Sequence, residues 1–136
     1  MEMSIEYAVG KVPITVLGLQ GELDASNFEA VIDKTKELFQ SGSHHLLVDM
    51  EGVRFMSSSG LVALHSMALI LRGEKPHDLE AGWNVFHAIE EDSQSGMQKN
   101  IKLLNPQPKV VQTLQKTGMD KFFEVHTDRE EAIKSF

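Results

Sequence analysis

VDMEGVRFMSSSGLVAL, residues 48–64, is the stretch that decides the fold, because an apolar run stops at three serines and a glycine before another begins. Serine weakens helix and strand interiors, yet it is among the best residues for a helix N-cap, where its oxygen accepts a backbone N–H. The serines therefore predict the start of a helix. A hydroxyl at a helix N-terminus is also a place where a phosphate group can be attached and held.

Composition limits the classes of protein to which the chain can belong. Its 136 residues, 41% of them hydrophobic, predict one compact domain over residues 1–136. The formal charge of −7 argues against a nucleic-acid or anionic-membrane partner and favours a protein partner. The absence of cysteine excludes thiolate chemistry and fits a reducing, cytoplasmic location. The acidic N-terminus is unlike a signal peptide, and the apolar stretch at 61–71 is about half the ~20 residues of a membrane span.

Hydrophobic periodicity on both sides of the serines predicts alternating strands and helices. Six residues of the first predicted helix share one stripe: Phe28, Val31, Ile32, Thr35, Leu38 and Phe39. Before this helix the pattern predicts a β-hairpin at 3–9 and 14–19. After it come a strand at 45–50 and a buried helix at 60–72. The last predicted elements are a strand at 101–105 and helices at 106–118 and 129–136. This alternation predicts an α/β fold with a sheet covered by helices.

Residues 74–100 are too many for an ordinary connection, whose median length is ~4–6 residues. Apolar residues recur in this segment at helical spacing: Leu79, Trp83, Phe86 and Ile89. An additional helix is therefore predicted here. We expect Trp83 and Phe86 to pack on the domain, since an exposed aromatic patch reduces solubility, although packing on a partner is the alternative.

Several kinds of active site are excluded by missing residues. The G-x-S-x-G turn of hydrolases fails at Ser58 and Ser59, and neither a phosphate-binding loop nor a dinucleotide fingerprint is present. His44 and His45 are adjacent in a strand, where neighbouring side chains point to opposite faces, so they cannot chelate one metal ion together. The other histidines show no metal-binding spacing. We therefore predict no catalytic residue, no metal and no cofactor.

The order of elements and three stretches resemble the STAS domain of bacterial anti-sigma factor antagonists. The stretches are LQGELDASNFEAV, LLVDMEGVRFMSSSGLVAL and IKLLNPQPKVVQTLQKTGMDKFFEVHTDREEAI. The resemblance implies a STAS-like mixed sheet covered by helices, with residues 74–100 as an insertion. In that family the turn reads Asp-Ser-Ser-Gly-Leu and its first serine is phosphorylated, which by position corresponds to Ser58. Ser57 stands where the family has aspartate.

The resemblance further implies a partner-switching protein that is not an enzyme. Its partner would be an anti-sigma factor or a histidine-kinase-like serine kinase, and phosphorylation would weaken the complex. The residues expected to contact the partner are Asp24, Ser57, Ser58, Ser59, Gly60 and Leu61.

Other interpretations stay open. The serines can simply cap the helix, and Asp24 can be a helix-cap or strand-end residue. The chain can also be a STAS module that is never phosphorylated, acting in a transporter-associated or multi-protein signalling complex; Ser57 favours this alternative. An enzyme or small-ligand carrier with a cleft near the inserted helix is a third hypothesis, which no converging acid, base or nucleophile supports.

Overall fold

The computed structural model describes residues 1–77, 84–92 and 96–136. Within them the strands are β1 (Glu2–Val9), β2 (Pro13–Leu23), β3 (Leu46–Met56), β4 (Ile101–Leu104) and β5 (Glu124–His126). The α-helices are α1 (Phe28–Gln40), α2 (Ser58–Leu71), α3 (Asn84–Asp92), α4 (Pro108–Thr117) and α5 (Arg129–Lys134), with a short 3-10 helix at Met119–Lys121.

The described strands form one mixed sheet in the order β1-β2-β3-β4-β5. β1 and β2 are an antiparallel hairpin, whereas β2, β3, β4 and β5 run parallel. Because the chain crosses over between parallel strands through helices, the carboxyl ends of β2, β3 and β4 lie along one rim of the sheet. The predicted mixed sheet covered by helices is confirmed.

Two apolar clusters fill the two faces of the sheet. The larger one joins alternate residues of β2 and β3 to α1, α2, α3 and α4. The smaller one packs Ala132 and Ile133 of α5 against Ile14 and Val16 of β2 and Leu47 of β3. Successive strand residues point to opposite faces, so this alternation places most helices on one side and α5 on the other.

Helix α2 is the most deeply buried of the described helices. Every residue from Gly60 to Leu71 is buried, and the helix has no polar face. Such a helix belongs in the middle of a core, where it is covered on all sides. No helix in the described part of the chain is both long and apolar enough to cross a membrane.

The predicted hairpin and first helix are confirmed, but strand β3 is longer than the predicted 45–50. It continues to Met56 through two register shifts against β2, each adding one residue to β3. At the first shift Gly52 lies so close to β2 that a Cβ would be 2.9 Å from the carbonyl oxygen of Leu19. Bulges interrupt the period-two pattern, and therefore the pattern stopped predicting a strand after Met50.

The inserted segment carries a helix, as predicted, although its apolar face differs from the prediction. Val85 and Ile89 are buried, while Phe86, one residue around the helix, is 45% exposed. The prediction that Phe86 packs on the domain therefore holds for only part of its side chain. Leu79 and Trp83 lie outside the described residues.

Candidate functional site

The three serines lie at the rim of the sheet, where β3 ends and α2 begins. Ser57 is the N-cap residue of α2, and its backbone N–H donates to the carbonyl oxygen of Leu23 at 2.9 Å. The carbonyl oxygen of Ser57 accepts the N–H groups of Gly60 and Leu61 at 3.0 and 3.3 Å. The start of α2 is thus tied through the backbone to the end of β2.

Gly60 is required by the close approach of these two elements. A Cβ at this position would be 2.4 Å from Cγ of Met56 and 2.9 Å from the carbonyl oxygen of Leu23. Leu61, the next residue, is only 7% exposed and belongs to the core. Gly60 and Leu61, both expected to contact a partner, are therefore buried residues that shape the turn and offer almost no accessible surface.

The hydroxyl groups of the three serines have different environments. Ser58 is exposed, whereas Ser57 and Ser59 are half-buried. Ser57 Oγ is buried without a hydrogen-bond partner among the described residues, and it makes no cap bond to the helix. The expectation that serine caps α2 through its side chain is therefore wrong for Ser57, which holds the turn through its backbone instead. Ser58 presents the accessible hydroxyl.

Asp24 lies at the end of β2, next to Leu23, whose carbonyl oxygen accepts the backbone N–H of Ser57. Its carboxylate accepts the backbone N–H of Ser26 at 2.9 Å and the Ser26 hydroxyl at 2.5 Å. These hydrogen bonds, the side-chain one first, lower the pKa of Asp24, so the group is a carboxylate at neutral pH. Asp24 thereby orders the turn before α1 and leaves a negative charge at the rim that carries Ser58.

Two exposed residues that sequence reasoning missed lie just before the serines. The second bulge of β3 inserts Arg54 between Val53 and Phe55, whose partners on β2 are adjacent residues, and Arg54 and Phe55 are both exposed to solvent. Phe55 is 48% exposed, and Arg54 forms no ion pair with any described residue. Aromatic residues and arginine are enriched in protein interfaces. A bulge beside a candidate site often redirects a side chain in this way, but it leaves no clear pattern in a sequence.

A second polar cluster, the His65 cluster, joins the middle of α2 to the inserted segment. His65 Nε2 is 2.6 Å from Asp92 Oδ2, and His65 Nδ1 is 2.7 Å from His77 Nε2. Arg72 donates to both oxygens of Asp92, at 3.1 and 3.2 Å. A single buried imidazole therefore bonds residues on both sides of the segment 78–91. Sequence reasoning gave these histidines ordinary core or surface roles and did not bring them together.

The electrostatics of the His65 cluster are those of a structural network. Burial, with a smaller contribution from His77, lowers the pKa of His65 to about 4, so the imidazole is neutral at pH 7. Burial alone would raise the pKa of Asp92, but the hydrogen bonds and charge of Arg72 outweigh it and lower that pKa. A general base needs access to substrate and a pKa near the working pH, and His65 is 1% exposed. Among the described residues no group of three or more His, Cys, Asp and Glu side chains could hold a metal ion.

The family model described as the STAS domain matches residues 8–73, which span β2, α1, β3 and α2. This range contains Asp24, the serine turn and His65. A comparison with curated protein sequences gave no significant match.

Solved structures of anti-sigma factor antagonists share the fold. One from Mycobacterium paratuberculosis is 17% identical, with 98% of this chain and 92% of that chain covered and a TM-score of 0.68. Unphosphorylated SpoIIAA is 22% identical, with 97% and 94% covered and a TM-score of 0.54. The phosphorylated form of SpoIIAA from Bacillus is 22% identical, with 97% and 96% covered and a TM-score of 0.55. Residues 8–73 thus match the STAS domain model, and the chain shares the fold of solved anti-sigma factor antagonists.

Proposed function

We propose that this protein is an anti-sigma factor antagonist-like switch that binds an anti-sigma factor or serine kinase through the rim around Ser58. It acts in the cytoplasm by binding and not by catalysis, and residues 1–136 form one STAS-like domain with an insertion at 74–100. The observation that carries the proposal is the exposed Ser58 hydroxyl at the first turn of an otherwise buried helix.

The chemistry of the rim explains how phosphorylation would control binding. A phosphoryl group moves from the ATP of the partner kinase to Ser58 Oγ, which loses its proton, and ADP leaves. Phosphoserine adds about −1.5 to −2 charges at pH 7. The N–H groups of Ser58 and Ser59 have no acceptor within the helix, and they can hold the phosphate oxygens. The phosphate therefore stays at the surface, on the rim that also carries the carboxylate of Asp24. Its negative charge would weaken the binding of a partner whose surface is complementary to a neutral hydroxyl.

The accessible part of the binding surface consists of Asp24, Arg54, Phe55, Ser58 and Ser59. Gly60 and Leu61 are buried beneath this surface, and they fix the conformation of the turn. Exposed aromatic rings and arginine side chains often supply most of the binding energy in an interface. Phe55 and Arg54 therefore extend the proposed surface along the end of β3.

The proposal is tested with Ser58→Ala and Ser58→Asp, each used to capture partners from a lysate of the source organism. We expect Ser58→Ala to retain a kinase-like partner and Ser58→Asp to bind it at least about tenfold more weakly, a difference of about 1.4 kcal/mol. Gln115→Glu adds the same charge at an exposed position on α4 and should bind like the unmodified protein. The intact mass of the native protein should include a phosphorylated species.

Equal partner affinity of Ser58→Ala, Ser58→Asp and the phosphorylated protein would refute the switch. A captured partner without any effect of position 58 would favour the alternative of a STAS module that is never phosphorylated.

The serine at position 57 gives a second test of the same site. Ser57→Asp restores the carboxylate that the family has beside its acceptor, and we expect faster phosphorylation of Ser58 by the captured kinase. Ser59→Asp adds the same charge on the other side of Ser58 and serves as the control. Equal phosphorylation rates for the unmodified protein and Ser57→Asp would show that this kinase does not need the aspartate.

A further inference from the structure

The sheet ends at β1 in a long strand with an open edge. Among the described residues β1 pairs only with β2, along all eight residues from Glu2 to Val9. The N–H and C=O groups on its outer side can therefore pair with another strand. Its odd-numbered side chains include apolar groups that none of the described helices covers: Ile5 is 37% exposed, Tyr7 73% and Val9 82%. A long edge strand with exposed apolar side chains is a template for pairing with another chain.

The two faces of β1 differ in chemistry. Met3 packs against the larger core cluster and Ala8 against the smaller one, which places the odd residues on the side of α1 and α2 and the even residues on the side of α5. The odd face carries the apolar residues, and the even face carries Glu2 and Glu6. A strand that pairs with this edge must match both patterns.

We infer that a second copy of this chain pairs its own β1 with this edge, antiparallel about a two-fold axis at Ile5. In this register Ile5 faces Ile5 of the second copy, and Met3 faces Tyr7. All the odd residues then lie on one face and form a continuous apolar strip across the two chains. The described sheet of five strands becomes one of ten strands.

The glutamates of β1 favour this register over the two registers in which Ile5 faces Met3 or Tyr7. Pairing Ile5 with Met3 would set Glu2 opposite Glu6, and pairing Ile5 with Tyr7 would set Glu6 opposite Glu6. Like charges directly opposite each other in a sheet are destabilising. In the proposed register Glu6 faces Ser4 and Glu2 faces Ala8, so no glutamate faces another. Among the registers that keep odd residues opposite odd residues, it has the longest overlap without such a pair.

The charges around Ala8 are complementary to Glu2 of the second copy, which faces Ala8 in this register. An open groove of about 680 Å³ runs beside Ala8 towards α5. Lys11 and Lys134 line this groove against one carboxylate, that of Glu130. Glu2 of the second copy would therefore enter a groove with two cationic groups. A two-fold axis repeats the same contact at the other end, as a closed dimer requires.

Single cysteines test the register directly, because the chain has no cysteine of its own. Ile5→Cys should form a disulfide-linked dimer under mild oxidation, since directly opposed residues lie about 4.5–5.5 Å apart and disulfides join Cα atoms about 4.4–6.8 Å apart. Tyr7→Cys is the matched control on the same face. Tyr7 is more exposed than Ile5, but in this register it faces Met3 of the second copy. The two Tyr7 residues are therefore four positions apart along the strands, about 13 Å.

Analytical ultracentrifugation of the full chain tests the association itself. An interface one strand wide is small, so we expect dissociation in the micromolar range. Ile5→Lys places two ammonium groups face to face and should raise the dimer Kd at least about tenfold. Val125→Lys makes the same change at an exposed apolar residue of β5, at the other edge of the sheet, and should leave the Kd unchanged.

Either of two results would overturn the inference. One is an unmodified chain that stays monomeric up to about 1 mM, which is beyond the range of a specific dimer. The other is cross-linking of Tyr7→Cys as fast as Ile5→Cys, which would indicate random collision of exposed thiols. The inference does not depend on the proposed role of Ser58.

Discussion

Lowering the pH from 7 to 5 should destabilise this protein mainly through His65. The imidazole lies between Asp92 and His77 in the core and is neutral there, since burial lowers its pKa to about 4. The unfolded chain has the ordinary histidine pKa of 6.5. Between pH 6.5 and pH 4 the unfolded state therefore binds a proton at position 65 that the folded state does not bind. The contribution of His65 to stability is present above pH 6.5 and is lost as the pH falls through this range.

The size of the effect follows from these two pKa values, 6.5 and about 4. Linkage gives a loss of about 2 kcal/mol in the free energy of unfolding between pH 7 and pH 5. The loss levels off at about 3 kcal/mol below pH 4. A loss of about 2 kcal/mol is a substantial part of the stability of a small domain.

Urea denaturation at pH 7, 6 and 5 measures this loss in three proteins. His65→Gln has no titrating group at position 65, so its stability should fall by about 2 kcal/mol less than that of the unmodified protein over the same range. His87→Gln makes the same change at a histidine whose side chain is 75% exposed, and it should follow the unmodified protein. His45 and His77 are present in all three proteins. If His65→Gln and the unmodified protein lose the same free energy between pH 7 and pH 5, the proposed titration of His65 is refuted.

Three further predictions concern packing and capping, and urea denaturation measures each free energy of unfolding. Gly60→Ala should lower it by about 1–3 kcal/mol despite the better helix propensity of alanine, since the new Cβ would overlap Met56. Ser57→Ala should change it by less than about 0.5 kcal/mol, because the hydroxyl makes no cap bond; a loss of ~1 kcal/mol or more would mean that the hydroxyl does cap the helix. Phe86→Ala should cost less than about 1 kcal/mol, whereas Ile89→Ala, at a buried position on the same helix, should cost about 2–5 kcal/mol. Equal losses at these last two positions would contradict the exposed placement of Phe86.

The elements predicted correctly are those whose hydrophobic pattern runs without interruption. The stripe of α1 includes Val31, Ile32 and Leu38, all of which are buried. The apolar run of α2 likewise predicted a helix with no exposed face, and the proline and glycine around α4 predicted its ends. In these segments the local pattern and the tertiary packing require the same residues.

The errors occurred where the structure depends on contacts between distant residues. The second half of β3 contains Glu51, Gly52 and Arg54, which interrupt the alternation, and only the pairing with β2 keeps it a strand. Strand β5 has three residues, too few to produce a period, and β4 is its one neighbour among the described strands. The His65 cluster joins residues 12 and 27 positions apart, a separation at which no helical or strand spacing applies.

The sequence predicted the position of the serine turn more accurately than the exposure of the residues in it. The serine turn stands at the predicted start of α2, but the burial of Gly60 and Leu61 became evident only from the approach of Leu23. A pattern that places a residue beside a turn does not determine whether its side chain faces the partner or the core. The exposure of Arg54 and Phe55 depends on a bulge that has no distinct sequence signature.

The complete burial of α2 determines how amide hydrogens should exchange along it. The N–H groups from Leu61 to Leu71 lie inside the core, so we expect them to exchange with solvent only when the whole protein unfolds. The proposed acceptor Ser58 is therefore attached to one of the slowest-exchanging parts of the chain. Melting of this helix would require the free energy of global unfolding, so a signal at Ser58 would have to act through the shape and charge of a rigid surface. A partner would encounter the same backbone in both states, with one group added.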